Sequence, residues 1–186
     1  MITILIGKTC SGKNTILEEL VKMKYQKVVT YTTRPKRKGE VEDDTYHYIS
    51  EEDFKQKIDN GFFAEYDSFN TNEGVWYYGS AEQDYHSKRD KIIILTPAGL
   101  SKIKDKEYGE VFSIYLYANR KTISERLKQR KDKKEEAIRR MKHDDEDFAG
   151  AVDKVDKIVY NNIGANPIDV AKKIDSLIKA RKKVKS

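Results

Sequence analysis

The sequence predicts an α/β fold in which helices cover both faces of a parallel β-sheet. Three observations support this prediction: short apolar runs recur along the 186 residues, helical patterns separate them, and glycine and proline are scarce. Strands that alternate with helices form parallel sheets, because each helix carries the chain back across one face of the sheet. The apolar runs of strand length are residues 2–6, 27–32, 91–96, 112–117 and 157–160.

Apolar residues at helical spacing predict the helices between these strands. Proline supports two of the helix starts, because its fixed φ suits the first turn. The predicted helices are the segment from residue 16, the segment that begins near Pro97, residues 121–130, residues 135–148 and the segment after Asn166-Pro167. In such a sheet, ligands are expected at the carboxyl ends of the strands.

Residues 33–80 interrupt the alternation and predict an inserted lobe that is rich in β-structure. They are rich in Tyr, Phe and Thr, and residues 70–74 read as an extended hairpin turn. The expected pieces are strands at 45–49, 62–68 and 75–78 and a short helix at about 51–59. We therefore expect a core of residues 1–32 and 81–186 with the lobe inserted between its two parts.

Composition argues against several classes of protein. The single cysteine, Cys10, rules out an internal disulfide and suits a reducing compartment. No apolar stretch approaches the roughly 20 residues that a membrane-spanning helix needs, and the N-terminus enters a strand rather than a signal peptide. We expect a cytoplasmic protein without a membrane partner. The sequence leaves the oligomeric state open.

The net charge of +6 would suit a nucleic-acid partner. However, the basic residues are spread along the chain, and no base-stacking platform or nucleic-acid motif accompanies them. A protein that binds small polyanionic ligands also needs positive charge. We therefore expect no nucleic-acid partner.

The first strand leads directly into a glycine-bounded loop and then a helix, which is the arrangement of a P-loop. Backbone N–H groups of such a loop turn inward around phosphate oxygens, and the helix N-terminus adds its positive end. The lysine supplies a mobile charge for the β- and γ-phosphates. The predicted nucleoside triphosphate site consists of Gly7, Lys8, Thr9, Cys10, Ser11, Gly12, Lys13, Asn14 and Thr15.

A second phosphate site is indicated by Arg34 and Arg37, which lie three residues apart with Tyr46 nearby. Two guanidinium groups can converge on one phosphate through bidentate contacts, with the phenol as a further donor. Taken alone, the segment could equally be a basic turn beside a strand tyrosine. Next to a P-loop, it suggests a second phosphorylated substrate.

Together these segments resemble the guanylate kinase family, and the resemblance covers essentially the whole chain. The segment of residues 32–48 resembles the family's run of threonines, Arg, Gly-Glu and Tyr-x-Phe. The other matching segments are Glu65-Tyr66, Tyr78-Gly79-Ser80, Arg126-Leu127 through Arg130, Arg140-Met141 and Asp156 to Asn161. The resemblance implies a P-loop kinase fold with a helical lid at about residues 120–145.

The resemblance also implies an activity, namely transfer of the γ-phosphoryl group of ATP to GMP or dGMP with Mg²⁺. Glu65 would accept hydrogen bonds from the N1–H and amino group of guanine, which adenine does not present. The residues implied at GMP are Thr30, Arg34, Arg37, Tyr46, Glu65, Tyr78, Ser80 and Thr96. Those implied to neutralise the transferred phosphoryl group are Lys13, Arg126, Arg130 and Arg140, and Asn161 would lie beside the adenine.

Three departures from the family pattern keep alternatives open, and one is the segment from Asp67 to Trp76, which is a few residues longer than its equivalent in the family. Asn14 stands where a P-loop has Ser or Thr, and its amide oxygen is the candidate Mg²⁺ ligand. The family's Asp-x-Asp on the strand of residues 91–96 is absent, with Ile94 and Thr96 as the equivalents. The acceptor could therefore be another nucleotide or a phosphorylated sugar. A non-catalytic protein-binding module of this family fits less well, since the P-loop lysine and lid arginines are present.

Overall fold

The computed structural model consists of nine strands and six α-helices among the residues that it describes. These are residues 1–71, 73–86, 89–106, 108–129 and 134–184, with the backbone alone for 134–140. The strands are β1 (Ile2–Ile6), β2 (Gln26–Lys27), β3 (Tyr31–Thr32), β4 (His47–Tyr48), β5 (Phe63–Thr71), β6 (Gly74–Ala81), β7 (Lys91–Ile94), β8 (Val111–Tyr117) and β9 (Lys157–Tyr160). The helices are α1 (Lys13–Lys22), α2 (Glu51–Asp59), α3 (Pro97–Lys104), α4 (Arg120–Gln129), α5 (Lys134–Asp147) and α6 (Pro167–Lys183).

The central sheet has the order β2-β7-β1-β8-β9, and every neighbouring pair is parallel. β1 pairs on both sides, which explains why all of its residues are buried and apolar or small. This sheet confirms the predicted α/β class. Its carboxyl edge, where β1 ends at Ile6, faces the loop that was expected to bind phosphate.

Helices cover both faces of this sheet and form two buried clusters with it. On one face, α1 and α6 pack through Leu20 and Ile174 against Leu5 of β1. On the other face, Leu100 and Ile103 of α3 pack near Ile4. Alternate residues of β1 thus pack into opposite clusters, as expected for a strand that is buried on both faces.

A second sheet of order β4-β3-β6-β5 stands beside the first. β5 and β6 form an antiparallel hairpin that joins β3, and a register shift between Phe63 and Glu65 marks a bulge. The single strand expected at residues 27–32 was wrong in extent. Gln26–Lys27 pair with β7, whereas Tyr31–Thr32 pair with β6 and β4. The β-propensity of these residues indicates an extended backbone but does not indicate which strand each one pairs with, because tertiary packing decides the partner.

Most helix boundaries follow the local signals in the sequence. Thr96 and Asn166 cap α3 and α6 with side-chain hydrogen bonds, and each is followed by proline in the first turn. Ser50 caps α2 in the same way. Among the described residues, none of the helices combines the length and apolar character needed to cross a bilayer.

Candidate active site

The loop after β1 has the backbone shape of a phosphate cradle. Cys10 and Gly12 have φ values of 59° and 95°, and Gly12 is the N-cap of α1. Glycine is required at this cap, since a Cβ atom there would collide with Nδ2 of Asn161. Because Gly12 has no side chain, nothing on that residue competes for the N–H groups of the helix's first turn.

Lys13 lies across this loop rather than pointing away from it. Its ammonium group donates to the carbonyl oxygens of Gly7 and Lys8, the latter at 3.0 Å. Asn14 follows on α1 and faces the same cavity, whereas Thr15 is exposed and does not line it. The ammonium group is therefore held beside the position expected for the β- and γ-phosphates.

Two side chains donate hydrogen bonds to carbonyl oxygens of the loop. Arg126 of α4 donates from Nη1 to the carbonyl oxygens of Cys10 and Ser11 at 3.1 and 3.0 Å. Asn161, which follows β9, donates to the same Ser11 oxygen at 2.8 Å. Burial lowers the pKa of Arg126, partly offset by Cys10. These contacts fix the loop backbone, and the predicted roles of Arg126 over the phosphates and Asn161 beside adenine stay predictions.

Helix α5 places carboxylates on the phosphate loop, which the sequence did not indicate. Oδ2 of Asp144 accepts a hydrogen bond from the Thr9 N–H at 2.6 Å. Asp145 pairs with Lys8 and, at 3.1 Å, with Arg120. Arg130 lies outside the described residues, and Arg140 belongs to the part of α5 for which only the backbone is described.

Across the cavity, Arg34 is held in place by Glu40. The Arg34 side chain is 3% exposed, and its Nη2 donates to Oε1 of Glu40 at 2.7 Å. Oε2 of Glu40 accepts from the Arg37 N–H at 2.8 Å and the Tyr48 hydroxyl at 2.7 Å. The guanidinium also lies 5.4 Å from the ring centroid of Tyr46. Glu40 thus links both predicted arginines, although only its place in the Gly-Glu motif hinted at it.

The charge of Glu40 depends on this network. Burial would raise its pKa, but hydrogen bonds from Arg34, the Arg37 N–H and Tyr48 outweigh it and lower the pKa to about 2. Glu40 is therefore ionised at neutral pH, and its negative charge holds Arg34 toward the cavity.

Glu65 is a buried carboxylate that also lines the cavity. It is 6% exposed, and its Oε1 accepts from the Ser80 hydroxyl at 2.6 Å. Its Oε2 would lie 2.7 Å from a Cβ atom on Gly99, so the first turn of α3 must be free of a side chain there. Burial raises the pKa of Glu65, while the hydrogen bond from Ser80 and the charge of Lys102 oppose this shift.

One cavity of about 330 Å³ joins the phosphate loop to the second sheet. The predicted site residues that line it are Gly7, Thr9, Lys13, Asn14, Thr30, Arg34, Arg37, Tyr46, Glu65, Tyr78 and Thr96. The predicted residues Lys8, Cys10, Ser11, Gly12, Thr15, Ser80, Arg126 and Asn161 lie outside this lining. Lining residues that the sequence did not single out for the site include Glu40, Asp67, Phe69, Trp76, Asp144 and Asp147.

A family model described as guanylate kinase matches residues 1–180. The chain belongs to the guanylate kinase family. A guanylate kinase of Lactobacillus acidophilus is 29% identical over 181 residues, which cover 94% of this chain and 87% of the relative. One of Prochlorococcus marinus is 33% identical over 144 residues, covering 74% and 76%. The crystal structure of guanylate kinase from Anaplasma phagocytophilum shares the fold, with a TM-score of 0.69, 20% identity and 97% and 85% coverage.

The resemblance to the guanylate kinase family inferred from the motifs is thereby confirmed. The missing strand aspartates, however, remain a departure from the family pattern. β7 ends at Ile94, and Ile94 and Thr96, which the resemblance equates with the family's aspartates, both line the cavity. The hydroxyl of Thr96 donates to Oδ2 of Asp67 at 3.2 Å. A carboxylate therefore reaches this edge of the cavity from the neighbouring hairpin.

Proposed function

We propose that this protein transfers the γ-phosphoryl group of ATP to GMP or dGMP, producing ADP and GDP or dGDP. One observation carries the proposal: a single cavity is lined by the phosphate loop, the Arg34 and Arg37 clamp and the buried Glu65. Membership of the guanylate kinase family supports the same reaction. A donor and an acceptor that share one cavity can react without leaving the protein.

At the donor end, residues 7–15 would bind the triphosphate of ATP. The backbone conformation of this loop and the N-terminus of α1 suit an anion, and Lys13 contributes a positive charge beside it. Asn161 would lie beside the adenine. Lys13 and Arg126, with Arg130 and Arg140, would neutralise the charge that develops on the transferred phosphoryl group.

At the acceptor end, Arg34, Arg37, Tyr46 and Tyr78 would hold the phosphate of GMP. Arg34 has five N–H donors in all, and the bonds to Glu40 and to the Pro35 carbonyl orient the group. The guanidinium carbon also lies 5.4 and 5.9 Å from the ring centroids of Tyr46 and Tyr48, which limits its rotamers. An arginine oriented in this way loses little conformational freedom when the phosphate binds.

Glu65 would select guanine, with Thr30, Ser80 and Thr96 beside it. An ionised carboxylate accepts the N1–H and amino group of guanine, whereas adenine offers no such pair of donors. The hydrogen bond from Ser80 fixes the orientation of Glu65. A buried site of this kind discriminates strongly, because the wrong base leaves the carboxylate unpaired.

The donor set of the cavity fits Mg²⁺, which prefers oxygen ligands and is bound largely by substrate phosphates. Asn14 lines the cavity beside the phosphate loop, and the carboxylate of Asp147 lines it as well. Asn14 would hold the ion or its bound water. The ion would supply positive charge to the phosphates of ATP.

We further propose that residues 1–32 and 81–186 act as the kinase core, with a lid at about 120–145 and an acceptor lobe at 33–80. The two sheets and the position of the cavity between them support this division. Closure of lid and lobe would exclude water from the reacting phosphates.

A coupled assay of ADP release tests the proposed reaction. Wild-type protein with ATP and Mg²⁺ should turn over GMP and dGMP, and should show little activity with AMP, CMP, UMP or dTMP. A Lys13→Ala variant serves as the negative control for contaminating kinase. Absence of turnover with GMP and dGMP, or equal turnover with AMP, would refute the proposal.

A further inference from the structure

We propose that Asp67 is a second base-reading carboxylate of the acceptor site and accepts a hydrogen bond from the 2-amino group of guanine. This inference rests on the proposed function and deepens it. The motif analysis gave Asp67 no role, and β7 has no carboxylate of its own at the cavity.

The position of Asp67 follows from its strand. Glu65 and Asp67 are alternate residues of β5, so their side chains leave the strand on the same face. Both line the cavity. The bulge of β5 lies before Glu65, between Phe63 and Glu65, and therefore does not interrupt the alternation from Glu65 to Asp67.

The N-terminus of α3 brings the two carboxylates to one edge of the cavity. Glu65 packs against Gly99, as the close approach of its Oε2 shows. The Thr96 hydroxyl accepts from the Gly99 N–H at 2.9 Å and donates to Oδ2 of Asp67 at 3.2 Å. Thr96 thus holds Asp67 at the place where the strand itself supplies no carboxylate.

The charges of this arrangement are partly balanced. Lys102 of α3 donates to the carbonyl oxygen of Tyr66, the residue between the two carboxylates, and its charge acts on Glu65. The N-terminus of α3 also favours negative charge. Burial and the charge of Asp67 raise the pKa of Glu65, and Lys102 opposes this shift.

Hydrogen-bond counting gives Asp67 its partner. Guanine presents one N1–H and two amino N–H groups on its recognition edge, and Oε1 of Glu65 already accepts from Ser80. Glu65 can take the N1–H and one amino hydrogen, which leaves the other amino hydrogen to a second acceptor. Asp67 accepts from the Ser68 N–H at 3.0 Å and from Thr96, and a carboxylate has about four acceptor positions in all.

The test compares GMP with inosine monophosphate (IMP), which lacks the 2-amino group and is otherwise the same acceptor. Asp67→Asn should lower kcat/KM for GMP by roughly 10-fold or more, the usual effect of losing a hydrogen bond to a charged group. It should change kcat/KM for IMP by less than about 2-fold, because that acceptor has no group for Asp67 to bind. Retained IMP turnover also demonstrates that the variant folds.

Glu73→Gln is the matched control, since it removes an exposed carboxylate from the same hairpin. It should leave the ratio of GMP to IMP use unchanged. The double variant Asp67→Asn/Thr96→Asp places a carboxylate on the partner residue at position 96. Aspartate also suits this position as the N-cap of α3. That variant should recover preference for GMP, and a ratio no better than that of Asp67→Asn would count against the proposal.

Other outcomes separate this inference from the proposed function. Equal loss with GMP and IMP, accompanied by a shifted Mg²⁺ requirement, would mean that Asp67 serves the metal and would overturn base reading. An unchanged ratio in Asp67→Asn would also overturn it, while GMP turnover by the wild type would leave the kinase proposal intact. No GMP turnover by the wild type would instead refute the kinase proposal itself.

Discussion

At the scale of single residues, the proposed acceptor site contains carboxylates whose surroundings set their charge. Glu40 is surrounded by donors, which keep it ionised and bind it to Arg34 and Tyr48. Glu65 lies in a buried position, where ionisation is less favourable, and one hydroxyl donor from Ser80 orients it. The first carboxylate therefore builds the site, and the second is available to a ligand that brings its own donors.

Glu40 should make stability depend on pH. Its pKa is about 2 in the folded protein against an ordinary value of 4.5, so its stabilising effect is present above that ordinary value and disappears as the pH falls toward 2. Urea unfolding of wild type and Glu40→Gln should show a stability difference at pH 7 that shrinks steadily below pH 4.5. A difference that stays constant with pH would show that ionisation of Glu40 is not what stabilises the clamp.

Glu65→Gln should impair the use of GMP far more than the binding of ATP. The amide keeps the shape but replaces one acceptor by a donor, so kcat/KM for GMP should fall roughly 10- to 100-fold. Burial raises the pKa of Glu65, so the carboxylate becomes protonated at a pH above its ordinary pKa of 4.5. In the wild type, kcat/KM for GMP should therefore begin to fall at a pH above 4.5 as the solution is acidified. The Kd for ATP, measured by calorimetry, is the control; an equal loss of both would assign Glu65 a structural role.

Gly99→Ala tests the contact between α3 and Glu65. Its new methyl group would lie 2.7 Å from Oε2 of Glu65, so the carboxylate must move away from its place in the cavity. We expect the KM for GMP to rise roughly 10-fold while the helix itself tolerates alanine well. Thermal unfolding provides the control, and unchanged GMP kinetics would show that the position of Glu65 is not critical.

At the scale of elements, helix α5 acts on the phosphate loop through its carboxylates. Asp144 accepts the Thr9 N–H, which is one of the groups that a phosphate oxygen would use, and Asp145 pairs with Lys8. The carboxylate of Asp144 therefore occupies one of the N–H donors of the loop. ATP must displace this contact before its phosphates can take all of the loop's donors.

Asp144→Asn should strengthen the binding of ATP. The neutral amide is a weaker acceptor for the Thr9 N–H, and it repels the phosphates less, so the Kd for ATP should fall several-fold. Calorimetric titration with ATP and Mg²⁺ measures this change. Glu146→Gln, which removes an exposed carboxylate from the same helix, should leave the Kd unaltered; a weaker affinity in Asp144→Asn would mean that the carboxylate assists ATP instead.

At the scale of the whole molecule, two sheets with different construction meet at one cavity. The parallel sheet is buried on both faces and supplies the rigid phosphate loop. The hairpin of the second sheet supplies Glu65 and Asp67, and Arg34 lies in the segment that follows β3. If the two phosphate sites lie as proposed, binding of both nucleotides would bridge the two sheets.

Small-angle scattering should detect the closure that this arrangement implies. The radius of gyration should decrease when GMP is added together with an ATP analogue that cannot transfer its phosphoryl group. It should change less with either ligand alone. Inorganic phosphate at the same ionic strength is the control for salt effects. Identical scattering with and without both nucleotides would exclude a closing lid and lobe.

Sequence patterns anticipated many features because they report local physics. The apolar run of residues 2–6 and the prolines Pro97 and Pro167 predicted a strand and two helix starts that the structure contains. The expected single strand at 27–32 failed, because its two ends pair with different sheets. Choice of partner depends on residues far along the chain, and local β-propensity contains no information about it.

The sequence by itself determined the fold class and the two phosphate-binding motifs, since strand period, loop glycines and neighbouring arginines act over a few residues. Only the tertiary structure decided which carboxylates line the cavity. Asp67 meets Thr96 across 29 residues of chain, and Asp144 meets Thr9 across 135. Contacts of that length arise from the packing of sheets and helices, which sets distances that no motif spacing records.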